Sequence, residues 1–161
     1  MFSIQEILDI AIRIEKNGEK FYRDAMEKVP NDSVVSLLQW LADAEVEHWQ
    51  GFTNLKQSMK ADVGNRQVEE MSGAFLQDIL GDQKFSLSDI DLADVHGVEI
   101  LLQLAIEFEN DTILFYEMLK TFLVDEKTIE HLEKIIREES SHIQKIDELR
   151  RSNSSHFEKA V

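Results

Sequence analysis

The chain has 161 residues, 43% hydrophobic and 30% charged, with one proline and six glycines, which fits a single helix-rich domain. Cysteine is absent, which excludes disulfides, thiol catalysis, iron–sulfur clusters and cysteine-ligated iron or zinc. A formal net charge of −15 opposes nucleic-acid binding, since phosphate recognition needs clustered Lys and Arg, and it serves solubility first and attraction of metal cations second.

Four long segments place apolar residues at a 3.6-residue period. The first runs from about Ile4 to Val29, with Ser3 and Glu6 as a capping box at its start and Pro30 as its terminator. Its inward stripe is Leu8, Ala11, Glu15, Gly18, Tyr22 and Ala25, and Glu15 is the only charge in it. After the turn Pro30-Asn31-Asp32, the second runs from about Ser33 to Lys60 with the stripe Leu38, Leu41, Glu45, His48, Phe52, Leu55 and Met59. Between positions 61 and 91 the pattern weakens and Gly64, Gly73 and Gly81 punctuate it. A short helix is expected there around Ala74 to Leu80.

The third segment runs from roughly Leu92 to Phe122 with Leu102, Ala105, Glu109, Thr112, Tyr116 and Leu119 facing inward. The fourth runs from about Glu126 to Arg151, capped by Asp125, with Leu132, Ile135, Glu139, His142, Ile146 and Leu149 on its stripe. Positions 152–161 read as a flexible tail, with His156 solvent-exposed. At about 1.5 Å per residue each helix is roughly 40 Å long. Short links make each pair an antiparallel hairpin, and the stretch 61–91 is long enough to cross from one end of a bundle to the other. The expectation is an all-α protein, one domain over 1–161, built as a four-helix bundle of two hairpins joined by a long crossover.

No apolar run approaches the roughly 20 residues of a membrane span, and the start Met1-Phe-Ser-Ile-Gln-Glu lacks the basic and apolar regions of a signal peptide. A cytoplasmic location without a membrane partner is the expectation.

The informative feature is a repeat. Glu15 to Glu109, Glu45 to Glu139 and His48 to His142 are each separated by 94 positions, and Ala11, Phe21 and Tyr22 recur at the same offset as Ala105, Phe115 and Tyr116. Glu45 and His48, like Glu139 and His142, form a Glu-x-x-His one turn apart on a core stripe. Four ionised carboxylates at one level of a bundle core would each cost several kcal/mol in desolvation, with repulsion added. Two divalent cations balance that charge, and the imidazoles add nitrogen donors. Glu15, Glu45, His48, Glu109, Glu139 and His142 are therefore the candidate ligands of two metal ions. A single Glu-x-x-His on an acidic helix reads as a surface pair; two such motifs repeated on core stripes do not. Glu19, Glu47, Glu107 and Glu138 read as supporting or solvated carboxylates, and His96 and His131 as surface or core-edge histidines. Tyr22 and Tyr116 lie seven residues after a candidate ligand. If the first and third helices are antiparallel, each phenol can reach the opposite half of the site, to donate to a ligand carboxylate or carry an electron; the alternative is a buried aromatic with a satisfied hydroxyl.

Two single glutamates and two Glu-x-x-His motifs on four helices resemble the ligand set of the ferritin-like di-iron and di-manganese carboxylate proteins, whose bundle has one long crossover. Within that superfamily Ala11-x-x-x-Glu15-x-x-Gly18-x-x-Phe21-Tyr22 and its partial echo from Ala105 to Tyr116 resemble the rubrerythrin family. The resemblance implies that Glu45 and Glu139 bridge the metals, that Glu15 and Glu109 are terminal, and that His48 and His142 each serve one metal. The chain departs from rubrerythrin proper in lacking a four-cysteine rubredoxin domain. It departs again at Thr112, where an additional glutamate is expected, so its ligand set is closer to that of bacterioferritin.

The implied function is that of a non-haem dinuclear iron oxidoreductase, with manganese or a mixed pair as alternative metals. Two ferrous ions held about 3.5–4 Å apart can deliver two electrons to O2 or hydrogen peroxide, and oxidation of Fe2+ is the related activity. Without its own rubredoxin domain a peroxidase needs an external electron donor. Iron storage or metal buffering is the alternative, as a homodimer rather than a closed cage, because the ten residues from Ser152 are too few for a ferritin's fifth helix. A di-iron hydroxylase of an organic substrate ranks below these. A purely structural bundle is one that purifies without metal and whose stability Glu45→Ala leaves unchanged or raised.

Overall fold

The computed structural model describes residues 4–61 and 97–158, and these form four helices: α1 (Ile4–Met26), α2 (Asp32–Ala61), α3 (Val98–Lys120) and α4 (Glu126–Glu158). No strand occurs among the described residues. The stripe of α1 is buried from Leu8 to Ala25 with Glu15 and Gly18 inside it, and that of α3 from Leu102 to Leu119 with Glu109 and Thr112 inside it. On α2 and α4 the stripes are buried through Phe52 and Ile146, while Leu55, Met59 and Leu149 pack on the core from its edge.

Local chemistry sets the helix ends. Pro30 disfavours helical backbone at Val29, and α1 stops at Met26 in a turn closed by Lys28 N–H on the Ala25 carbonyl at 3.1 Å. Asn31 Oδ1 accepts from the backbone N–H of Ser33 at 3.0 Å and Val34 at 3.2 Å, so α2 begins one residue earlier than the sequence pattern predicts. Asp125 caps α4 as expected, its Oδ2 accepting from Thr128 N at 3.0 Å and Thr128 Oγ1 at 2.6 Å.

Two boundaries differ most from the sequence expectation. The third helix starts at Val98 rather than near Leu92, because Gly97 has φ 99°, a left-handed value no continuous helix accommodates. The fourth helix does not end at Arg151 but continues to Glu158 through the predicted flexible tail. There Ser152 and Ser154 turn their hydroxyls onto the carbonyls of Leu149 and Arg150 at 2.8 and 3.1 Å, which lets serine persist in a helix. Ser3, His96, the short helix expected at 74–80 and the glycines of the connection lie outside the described residues, as does the side chain of His156.

Helix α1 packs along α2 and α3 along α4, while α1 meets α3 and α2 meets α4 across the bundle. Tyr22 of α1 reaches Glu109 of α3, and Tyr116 of α3 reaches Glu15 of α1, so these two helices are antiparallel. The pairs Trp40 with His142, His48 with Glu138 and Phe52 with His131 show that α2 and α4 are antiparallel too. It follows that α2 and α3 run parallel: α2 ends at one end of the bundle and α3 starts at the other. That is the predicted arrangement of two hairpins and one crossover. No described helix is long and apolar enough to cross a membrane.

Candidate metal centre

The six predicted ligands meet in the centre of the bundle. Glu15, Glu45, Glu109 and Glu139 have no exposed surface, and His48 and His142 retain 4% and 2%. Their ligand atoms form two overlapping groups, each within a span of 4.8 Å: Glu15, Glu45, His48 and Glu139, and Glu45, Glu109, Glu139 and His142. Glu45 and Glu139 belong to both. The two imidazoles stack with centroids 5.6 Å apart and planes 16° from parallel.

Buried polar atoms are ordinarily hydrogen-bonded. Here both oxygens of Glu45, both of Glu139, Oε2 of Glu109 and Nδ1 of His142 have no hydrogen-bond partner. They are near one another without being aligned: His142 Nδ1 lies 2.7 Å from Glu139 Oε2, and His48 Nδ1 lies 3.0 Å from Glu139 Oε1. Oxygen and nitrogen donors left open towards a common point, in a dry core, fit a pair of cations.

Protonation tells the same story. Burial lifts Glu45 well above the usual carboxylate range, with the charges of Glu15, Glu139 and Glu109 adding to it. Burial and the neighbouring Glu139 raise Glu109 to about 8. Burial acts likewise on Glu139, but the two imidazoles beside it outweigh that effect and hold it below the usual range. Burial lowers both histidines, and the carboxylates around them reverse the sign, lifting His48 to about 11 and His142 to about 9. Without metal the site holds protons where cations would otherwise balance its charge.

Glu109 and Glu15 are each held from the opposite hairpin. Tyr22 Oη donates to Glu109 Oε1 at 2.6 Å, and Tyr116 Oη donates to Glu15 Oε1. Burial and the nearby carboxylates push both phenols well above their ordinary range, so they remain donors. Gly18 makes room beside them: a Cβ there would lie 2.6 Å from Glu45 Oε2 and 2.8 Å from Phe108 Cε1.

The surroundings of the histidines separate the four carboxylates that the sequence reading leaves together as supporting or solvated, and add Trp40, which it does not name. His48 Nε2 lies 3.0 Å from Glu138 Oε2, so Glu138 supports the site from the outside. The His142 and Trp40 rings meet in a T-shaped contact, with centroids 4.9 Å apart. Glu19 is committed elsewhere, accepting from Arg23 Nε at 2.9 Å and Trp49 Nε1 at 3.0 Å. Glu47 and Glu107 are exposed. His131 packs on Phe52 with ring centroids 5.1 Å apart, a core-edge histidine as expected. Thr112 is buried and its hydroxyl has no partner.

A bundle of this topology with two overlapping carboxylate and histidine groups at its centre defines a dinuclear carboxylate protein of ferritin-like fold. The sequence profile of the rubrerythrin family matches residues 6–150. The chain belongs to the rubrerythrin family. Among solved structures it is similar to a candidate ferritin-like diiron-carboxylate protein from Thermotoga maritima, with 27% identity and a TM-score of 0.65, over 94% of this chain and 97% of that one. No curated protein matches the sequence.

Proposed function

We propose that this chain binds two iron ions at Glu15, Glu45, His48, Glu109, Glu139 and His142 and acts as an oxidoreductase, reducing peroxide or O2 or oxidising Fe2+. The observation that carries the reading is the pair Glu45 and Glu139, shared by both ligand groups and fully buried, with none of their four oxygens hydrogen-bonded. Such carboxylates are suited to bridge, leaving one terminal glutamate and one histidine for each metal. The family and the Thermotoga maritima neighbour point to iron, and carboxylate with imidazole suits iron or manganese.

Bound there, two ferrous ions would supply two electrons to an oxidant together. The chain's own residues prepare for this. Tyr22 and Tyr116 occupy one oxygen of Glu109 and of Glu15, fixing how the other can point. Gly18 leaves Glu45 free to approach the centre. The surrounding apolar layers keep bulk water from the carboxylates and so strengthen every charge interaction inside. Electrons for repeated turnover would come from a separate donor, since no cysteine-ligated iron exists in this chain.

Anaerobic titration with Fe2+ should saturate at about two ions per chain, followed by absorbance changes on separate addition of O2 and of hydrogen peroxide. Repeated peroxide consumption with a supplied reductant identifies the oxidoreductase. Stoichiometric Fe2+ oxidation that then stops identifies storage. Uptake of clearly fewer than two ions would falsify the dinuclear reading.

A further inference from the structure

The 94-position offset that relates all six buried ligands fails beside the histidines. Residue 138 is a glutamate and its counterpart 44 an alanine; residue 134 is a lysine and its counterpart 40 a tryptophan. The two imidazoles therefore have different outer partners. His48 presents Nε2 to Glu138 Oε2 at 3.0 Å, and Lys134 Nζ stands 3.5 Å from the other oxygen, Glu138 Oε1. His142 and the Trp40 indole meet edge to face at an interplanar angle of 79°, and Lys145 Nζ covers that indole 3.6 Å from its centroid. Ala44 has no polar group to offer in place of a carboxylate.

The inner nitrogen of His48, Nδ1, faces Glu15 Oε2 at 3.2 Å and Glu139 Oε1 at 3.0 Å. A proton on Nε2 donated to Glu138 leaves the Nδ1 lone pair directed at those carboxylates. A carboxylate on the outer nitrogen fixes the tautomer, holds the ring plane and raises the basicity of the ligating nitrogen, and loss of such a partner costs about tenfold to a hundredfold in metal affinity. An indole fixes the ring by contact but offers no carboxylate to accept its proton and so does not raise its basicity in the same way.

We propose that Glu138 is a positioning residue that makes the two metal positions unequal, so that the one with His48 binds a divalent cation more tightly than the one with His142. The proposal rests on the dinuclear reading above and adds an order of filling to a site whose ligands are symmetric. Glu138 lies partly exposed on α4, so it touches no metal and acts through the imidazole alone.

Calorimetric titration of the metal-free full-length protein with Co2+, read in parallel by the cobalt visible bands, tests it. The wild-type chain should take up two equivalents in two resolved steps. Glu138→Ala should weaken the tighter step by about tenfold to a hundredfold, leave the weaker step in place and merge the two. Glu138→Gln, which retains an acceptor without the charge, should fall between. The double variant Trp40→Lys with Ala44→Glu moves the arrangement to the other half and should tighten the weaker step. Circular dichroism confirms that each variant is folded, and Glu138→Gln carries the test if the alanine variant is not. A single indistinguishable step in the wild type, or an equal loss in both steps for Glu138→Ala, would overturn the proposal while leaving the dinuclear reading intact. Absence of two-ion uptake would defeat that reading itself.

Discussion

Gly18 shows how a single side chain is set by its neighbour rather than by its helix. An interior glycine ordinarily costs a helix about 0.5–1 kcal/mol relative to alanine, so Gly18→Ala on propensity alone should stabilise. The added methyl would stand 2.6 Å from Glu45 Oε2, and Glu45, wholly buried, could yield only by moving its carboxylate away from the position it holds in both candidate groups. The expected outcome is therefore reversed: Gly18→Ala displaces Glu45 and weakens metal uptake by at least about tenfold, seen by the same Fe2+ titration, with no gain in melting temperature. Undiminished uptake would show that Glu45 has room to move. The six candidate ligands and the two tyrosines stand out in the sequence because repetition marks them. Glu138 is grouped there with Glu19, Glu47 and Glu107 as a supporting or solvated carboxylate; what sets it apart is a break in the repeat, where its counterpart is Ala44, and nothing in a single helix indicates which residue off the core stripe will meet a histidine of another helix.

At the level of elements, the stripes were legible because every helix has to bury one face, and four of them were long enough to show the period clearly. The ends were less so. Gly97 ends the helical pattern through its backbone angle of 99°, while the apolar and acidic residues before it continue a plausible helical period. The polar run from Ser152 looks like a tail in composition, yet its serines are satisfied by the carbonyls one turn back. The cap of α4 offers a clean test. Asp125→Ala removes the acceptor for Thr128 N and Thr128 Oγ1 and should lower stability by about 1 kcal/mol. Because α4 carries Glu139 and His142 more than three turns from that end, metal stoichiometry should not change. Denaturant melts and metal titration of the same preparation separate the two effects; a loss of stoichiometry would mean that the helix slides when its cap is removed.

For the whole molecule, the centre makes stability without metal depend on pH. Glu45, Glu109, His48 and His142 all bind protons more tightly in the folded chain than when unfolded, where a histidine titrates near about 6.5 and a glutamate near about 4.3. Their contribution is complete below those unfolded values and is lost as pH rises through the folded ones, about 8 for Glu109 and about 9 for His142. Glu139 is shifted the other way, so its contribution is complete above the unfolded value and declines only in acid. The metal-free protein should thus melt at progressively lower temperature between about pH 6.5 and 9. Two equivalents of a divalent metal should remove the decline, because binding displaces those protons and is favoured as they become easier to lose. Thermal melts at fixed ionic strength measure both arms, and a level profile for the metal-free protein would contradict the protonation pattern.

The crossed tyrosine bonds make the two hairpins depend on each other. Tyr22 of the first hairpin braces Glu109 of the second, and Tyr116 of the second braces Glu15 of the first, while Glu45 and Glu139 each enter both ligand groups. One hairpin is thus half of a lock, owning the brace for a residue it does not possess. Each hairpin carries three of the six candidate ligands yet cannot orient its own outer glutamate, so the two halves hold the centre as one cooperative unit and neither is complete without the other.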